Sequence, residues 1–105
     1  MLESKYTLRY LPKYVEDLNE IVDYIVLKLY SPGSAINLVN KIEKAILERS
    51  YCPLAFEPFK SNRKRKHQYY RIYVDNFVVY YVVIDGIMEV RRIVYKSRDA
   101  DLVIE

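Results

Sequence analysis

The stretch Tyr69 to Asp99, YYRIYVDNFVVYYVVIDGIMEVRRIVYKSRD, constrains the fold more than any other part of the chain. Its side chains alternate with the period of two that a strand imposes. In the first segment Tyr70, Ile72 and Val74 face one way, and Tyr69, Arg71 and Tyr73 the other. The second, Phe77 to Ile84, is apolar on both faces. Such a strand is central and covered twice, or covered once with an aromatic binding surface on its other side. The third, Ile87 to Tyr95, alternates Val90, Arg92 and Val94 with Arg91, Ile93 and Tyr95. Asp75-Asn76 and Asp85-Gly86 stand where two-residue hairpin turns need residues that tolerate positive φ. Three consecutive strands in a meander are predicted.

Upstream, Lys5 to Leu11 alternates Tyr6, Leu8 and Tyr10 with Thr7 and Arg9, as a short leading strand does. Pro12 suits the first turn of a helix, where a missing N–H is not needed. Val15, Leu18, Ile21, Val22, Ile25 and Leu29 then recur at helical spacing. Ser31 and Pro32 provide an N-cap and first helical residue for a second helix. Its apolar face holds Ala35, Leu38, Ile42, Ala45 and Ile46, with Arg49 following on the same side. The short break implies an antiparallel helical hairpin, and the sheet is its available partner. Residues 51–66 carry two prolines and a basic run, which predicts a surface loop. After Asp99 a short helical turn and a frayed end fit equally. The order β-α-α-β-β-β predicts one α+β domain over 1–105, a helical hairpin packed on a small, twisted, mainly antiparallel sheet.

A chain of 105 residues with 51% hydrophobic residues can build one core and is not disordered by composition. It opens with no signal peptide and has no apolar run able to span a bilayer, so a cytoplasmic protein without membrane contact is expected. Cys52 has no partner for a disulfide and suits a small buried or half-buried position. Twelve tyrosines read as mostly structural, with a few functional ones among them.

Charge is unevenly spread. The first 59 residues hold seven Lys/Arg against eight Asp/Glu, and the remaining residues hold ten against six. A polyanion-binding surface therefore belongs to the C-terminal half. One histidine and one cysteine give no zinc-ligand set, and no P-loop, dinucleotide fingerprint or nucleophile elbow is present. No metal or cofactor is expected. Lys60, Arg63, Lys64, Arg65, Lys66 and Arg71 fall close together with no acid between them, and Arg91, Arg92, Lys96 and Arg98 form a second cluster. Arg91 and Arg92 are adjacent, so only one can serve a given face; the other pairs with an acid or stays in solvent. If the meander brings Arg71 near Tyr95, Lys96 and Arg98, the surface suits phosphate binding with tyrosine stacking. Metal-free RNA cleavage needs a base for the 2′-hydroxyl, cations at the phosphate and an acid for the leaving oxygen. Arg71 and Arg98 suit the charge; Tyr95, His67 or a lysine suits the proton. The alternative is a solvated 60–66 loop and an ordinary surface Arg71.

The chain resembles the RelE/ParE superfamily of type II toxin–antitoxin toxins along nearly its whole length. The resemblance is carried by Tyr6-Thr7-Leu8, Asp17-Leu18, Ile21 with Tyr24-Ile25, Ser34-Ala35, Ile42 with Ile46, and Pro53. It continues through Tyr70-Arg71, Asn76 to Val82, and Val90 with Arg92 to Tyr95 and Arg98-Asp99. It implies a toxin neutralised by a cognate antitoxin whose disordered segment wraps it. Many relatives cleave mRNA on the ribosome without metal, and others poison DNA gyrase. The resemblance matches Arg71 and the Tyr95–Arg98 segment to functional positions; for cleavage the expected catalytic group is Arg71, Tyr95 and Arg98, with Lys64, Lys66, His67, Tyr73 and Lys96 expected to contact RNA. Ribosome-dependent endoribonuclease is the leading expectation; gyrase inhibition and an inactive antitoxin-binding member are the alternatives. Two departures stand against cleavage: Val78 occupies a position where many nucleases carry arginine, and Tyr95 one where others carry histidine. The long helical hairpin also resembles the gyrase-directed branch.

Overall fold

A computed structural model describes residues 5–61 and 63–105. The elements are β1 (Thr7–Tyr10), α1 (Pro12–Asp23), a π-helical continuation (Tyr24–Lys28), α2 (Pro32–Arg49), β2 (Tyr70–Val74), β3 (Phe77–Ile84), β4 (Ile87–Tyr95) and α3 (Ala100–Val103). The sheet order is β1-β4-β3-β2. The meander pairs antiparallel, and β1 joins it parallel to β4, with Thr7 opposite Ile87 and Tyr10 opposite Val90. The α+β architecture of a helical hairpin on a mainly antiparallel sheet is therefore present as expected.

Both meander turns form where the Asp residues stand, with φ of 51° at Asp75 and 50° at Asp85, followed by 77° at Gly86. The middle strand is covered twice. On one face Tyr70, Ile72, Val79, Tyr81, Met88, Val90 and Ile93 pack with Tyr14 and Ile21 of α1 and Leu38, Ile42 and Ile46 of α2. On the other, Tyr69, Val78, Tyr80, Val82 and Val94 pack with Val103 and Ile104, and Phe59 closes the edge. The tail is thus a capped helical turn: the Asp99 side chain accepts from the Asp101 N–H at 3.0 Å.

The helices follow their periodicity with two adjustments. In α1 the buried residues are Tyr14, Asp17 and Ile21, while Val15 and Leu29 of the expected stripe are exposed. The π-turn redirects the last residues: Leu29 N–H donates to Tyr24 C=O and Ser31 N–H to Ile25 C=O, with Tyr30 at a φ of 51°. This widening turns Leu27, Leu29 and Tyr30 outward. Ser31 sits at the N-cap of α2 with Pro32 first in the helix, but its hydroxyl donates to Ser34 Oγ at 2.6 Å and caps no backbone N–H.

One irregularity decides which side chains share a surface. On β4 the register runs Val82↔Glu89 and Tyr81↔Val90, then jumps to Tyr80↔Arg92. The extra residue, Arg91, makes a β-bulge, and every residue beyond it changes face relative to simple alternation. Val90, Ile93 and Tyr95 consequently lie on the hairpin side, where unbroken alternation places Ile93 and Tyr95 opposite Val90.

Candidate functional site

The bulge separates the residues expected to act together. Tyr95 pairs with Phe77, and Phe77 with Val74, three positions from Arg71 on the same strand. An odd spacing in a strand means opposite faces, so Arg71 lies on the C-terminal side of the sheet and Tyr95 on the hairpin side. Without the bulge, Tyr95 and Arg71 would share a face. The expectation of one Arg71–Tyr95–Lys96–Arg98 surface is corrected on this point.

Each group keeps its own surroundings. Arg71 places its guanidinium 4.9 Å from the Phe59 ring centroid and 5.7 Å from that of exposed Tyr73. Tyr80 stands opposite Arg71; burial pushes its phenol up, and the Arg71 charge offsets only part of that. Val78, on the same face, is buried among the residues under Val103 and Ile104. Across the sheet, Tyr95 leans on Phe77 at a centroid distance of 4.7 Å. Tyr95 and Arg98 line an open cleft of about 430 Å³, whose other wall includes Lys13, Glu20 and Tyr24. Arg98 is brought there by a turn in which its N–H donates to Tyr95 C=O at 3.0 Å. Lys96 is exposed beside it, its N–H bonded to Asn76 C=O at 2.9 Å.

The basic loop forms a second concavity, an open groove of about 450 Å³ lined by Phe59, Lys60, Arg63, Arg65, His67 and Tyr69. Lys64 and Lys66 are exposed and His67 half-buried. Arg65 is not one of the free cations. Its Nη2 meets Asp101 Oδ1 at 2.7 Å, its Nη1 donates to Ile104 C=O at 2.9 Å, and its Nε lies 3.3 Å from Ser61 Oγ. The Ser61 hydroxyl donates to the same carboxylate, and these two donors hold the Asp101 carboxyl below its ordinary value. Arg65 thus ties the loop to the C-terminal turn.

The two adjacent arginines of the bulge are also structural. Arg92 grips Asp17 through Nε at 2.6 Å and Nη2 at 3.0 Å, and Nη1 donates to Val103 C=O at 2.8 Å. Asp17 Oδ2 also accepts from Ile93 N–H at 3.1 Å, closing β4 where β1 has ended. Arg91 donates to Glu89 Oε1 at 2.8 Å and to the Tyr69 hydroxyl at 3.0 Å, while Arg9 Nε reaches Glu89 Oε2 at 2.7 Å. The sequence does hold a signal for Asp17, which falls within the apolar stripe between Tyr14 and Ile21. Cys52 is exposed. Among the described residues no three His, Cys, Asp or Glu side chains converge as metal ligands, and no helix is long and apolar enough to cross a membrane.

Glu89 gives the fold an acid-sensitive point. Burial alone would raise its carboxyl, but the bonds from Arg9 and Arg91 outweigh burial and hold it below its ordinary value. The folded state therefore protonates at lower pH than the unfolded chain, whose glutamates titrate near about 4.3. The stabilisation is complete above that pH and is lost as pH falls through the folded value. The urea midpoint should drop more steeply below about pH 4.3 in the wild type than in Glu89→Gln; parallel curves would contradict the assignment.

A family model described as the ParE toxin of type II toxin-antitoxin system, parDE, matches residues 8–100. The chain belongs to the ParE toxin family. Among solved structures, one titled as the chromosomal ParDE TA system from P. aeruginosa superposes with a TM-score of 0.69 at 19% identity, covering 87% of this chain and 96% of that one. At that identity the likeness is one of fold. A RelB-RelE antitoxin-toxin complex from Methanococcus jannaschii aligns with a TM-score of 0.46 at 20% identity, over 84% and 89% of the two chains. No curated protein matches. Membership in the ParE family places the chain in the RelE/ParE superfamily of type II toxins, and the family model spans the helical hairpin, the sheet from Leu8 onward and the Tyr95–Arg98 segment.

Proposed function

We propose that this ParE-family chain is the toxin of a toxin–antitoxin pair and that it acts by binding DNA gyrase without cutting nucleic acid. The observation that carries this reading is the placement of Arg71 and Tyr95 on opposite faces of the sheet. Metal-free cleavage needs charge stabilisation and proton transfer at one phosphate, within hydrogen-bond reach. Arg71 faces the other side from Tyr95 and does not line the cleft that Tyr95 and Arg98 share. Val78, where many nuclease relatives carry arginine, is buried beneath the C-terminal turn and offers neither charge nor access.

In this reading the cleft between α1 and the end of β4 contacts the target through Tyr95, Arg98, Lys13 and Tyr24. The antitoxin is a protein whose apolar side chains cover the outward residues of the hairpin, Leu27, Leu29, Tyr30 and Ile36. The P. aeruginosa structure, titled as a ParDE TA system, supports an antitoxin partner.

The test is expression without antitoxin in growing cells. Tyr95→Ala with Arg98→Ala should relieve growth arrest, and Arg71→Ala should leave it in place at equal protein level. Relief by Arg71→Ala in a chain that still melts cooperatively would favour the ribosome-dependent nuclease instead.

A further inference from the structure

The groove beside the basic loop is untouched by the cleft described above and lies elsewhere on the fold. We infer that it is a docking site for the phosphate backbone of duplex DNA. Lys60 and Arg63 line it, and Lys64 and Lys66 stand exposed on the same loop. None of these four makes an ion pair among the described residues. His67 and Gln68 add polar side chains to the lining, and no acidic side chain lines it among the described residues. The nearby Asp101 is already held by Arg65 and Ser61.

The groove is also anchored. The Arg65 side chain is only 8% exposed, and its three bonds fix the loop to the C-terminal turn. Phe59 N–H donates to Tyr69 C=O at 2.7 Å and fixes the other end. Cations on an anchored loop lose less freedom when they meet a ligand than cations on a loose one.

The state of the aromatic rings selects the kind of polyanion. Proteins that bind single strands combine a cationic track with free ring faces on which bases stack. Here Phe59 is edge-on to Tyr80 at 6.3 Å and has the Arg71 guanidinium over it. Tyr69 is 3% exposed, and its hydroxyl accepts from Arg91. Neither ring is free to take a base. Charge and hydrogen-bond donors remain, and these suit phosphates whose bases are paired away from the protein.

The experiment is fluorescence anisotropy with the purified full chain and a labelled random-sequence duplex of about 20 base pairs across a salt series, with no gyrase present. The wild type should bind the duplex with affinity that falls as salt rises. Lys60, Lys64 and Lys66 changed together to alanine should weaken binding about ten-fold or more and flatten the salt slope by roughly 0.9 for each phosphate no longer neutralised. Lys28, Lys41 and Lys44 changed together to alanine remove the same charge from the hairpin and should have little effect. Equal losses in the two triple variants would overturn the site in favour of net charge alone. Tighter binding to the matching single strand, or displacement of duplex by polyglutamate at equal charge, would overturn the duplex assignment. Because gyrase is absent, the result stands or falls separately from the gyrase reading.

Discussion

Replacing Arg92 with alanine is expected to destabilise the fold by about 3–5 kcal/mol, because it leaves the Asp17 carboxylate buried without its counter-charge. Asp17 is 6% exposed and accepts two bonds from Arg92 and one from the Ile93 N–H. The same guanidinium holds the C-terminal turn through Val103 C=O. One substitution therefore loosens α1, the unpaired part of β4 and the cover of the second core. Urea unfolding of Arg92→Ala, Asp17→Ala and the double variant measures this. The double variant should cost clearly less than the two single changes added together, since removing both partners leaves no orphaned charge. Arg92→Lys should remain well below wild type, because an ammonium cannot reproduce the two-pronged contact. A loss under about 1 kcal/mol for Arg92→Ala would show that the pair is a surface contact of little weight.

Ile42→Ala should have an effect of similar size, about 2–5 kcal/mol, from lost transfer energy and the cavity left behind. Ile42 has no exposed surface and sits mid-way along α2 in the core shared with α1 and the sheet. The comparison is Leu29→Ala, which belongs to the periodic pattern of α1 but lies outward after the π-turn. That change should stay within about 0.5 kcal/mol. Equal losses at the two positions would mean that the π-turn does not redirect the end of the helix.

The elements these substitutions probe differ in how plainly the chain announces them. The meander was legible because Asp75 and Asp85-Gly86 supply positive φ at the spacing a two-residue turn demands, and α2 because Ala35, Leu38, Ile42 and Ile46 keep one stripe. The bulge was not legible. It falls at Arg91-Arg92, where no glycine or turn residue announces it, and the two arginines go to different partners there, Arg91 to Glu89 and Arg92 to Asp17 of α1. Its consequence is large, since it carries Tyr95 from the Arg71 face to the hairpin face. The α3 turn was equally hidden: four helical residues offer too little periodicity to show that Val103 and Ile104 complete a core.

The same limit applies to charge. A basic C-terminal half is a count, and counting found it. Which cations stay available depends mostly on partners distant in sequence: Asp101 takes Arg65, Asp17 takes Arg92, and Glu89 takes Arg9 as well as the nearby Arg91. After these pairings, Lys60 and Arg63 remain without an ion pair in one groove and Arg98 in the cleft among the described residues, while Lys13 in that cleft pairs with Glu16. The exposed Lys64, Lys66 and Lys96 flank them.

Gyrase and the ribosome are separated by one paired experiment. Purified gyrase, ATP and relaxed plasmid are titrated with this chain, beside a translation reaction carrying labelled mRNA. Supercoiling should be blocked, the block should disappear in the Tyr95→Ala, Arg98→Ala variant, and the mRNA should stay whole. Undisturbed supercoiling together with ribosome-dependent cuts in the mRNA would contradict a gyrase-directed toxin.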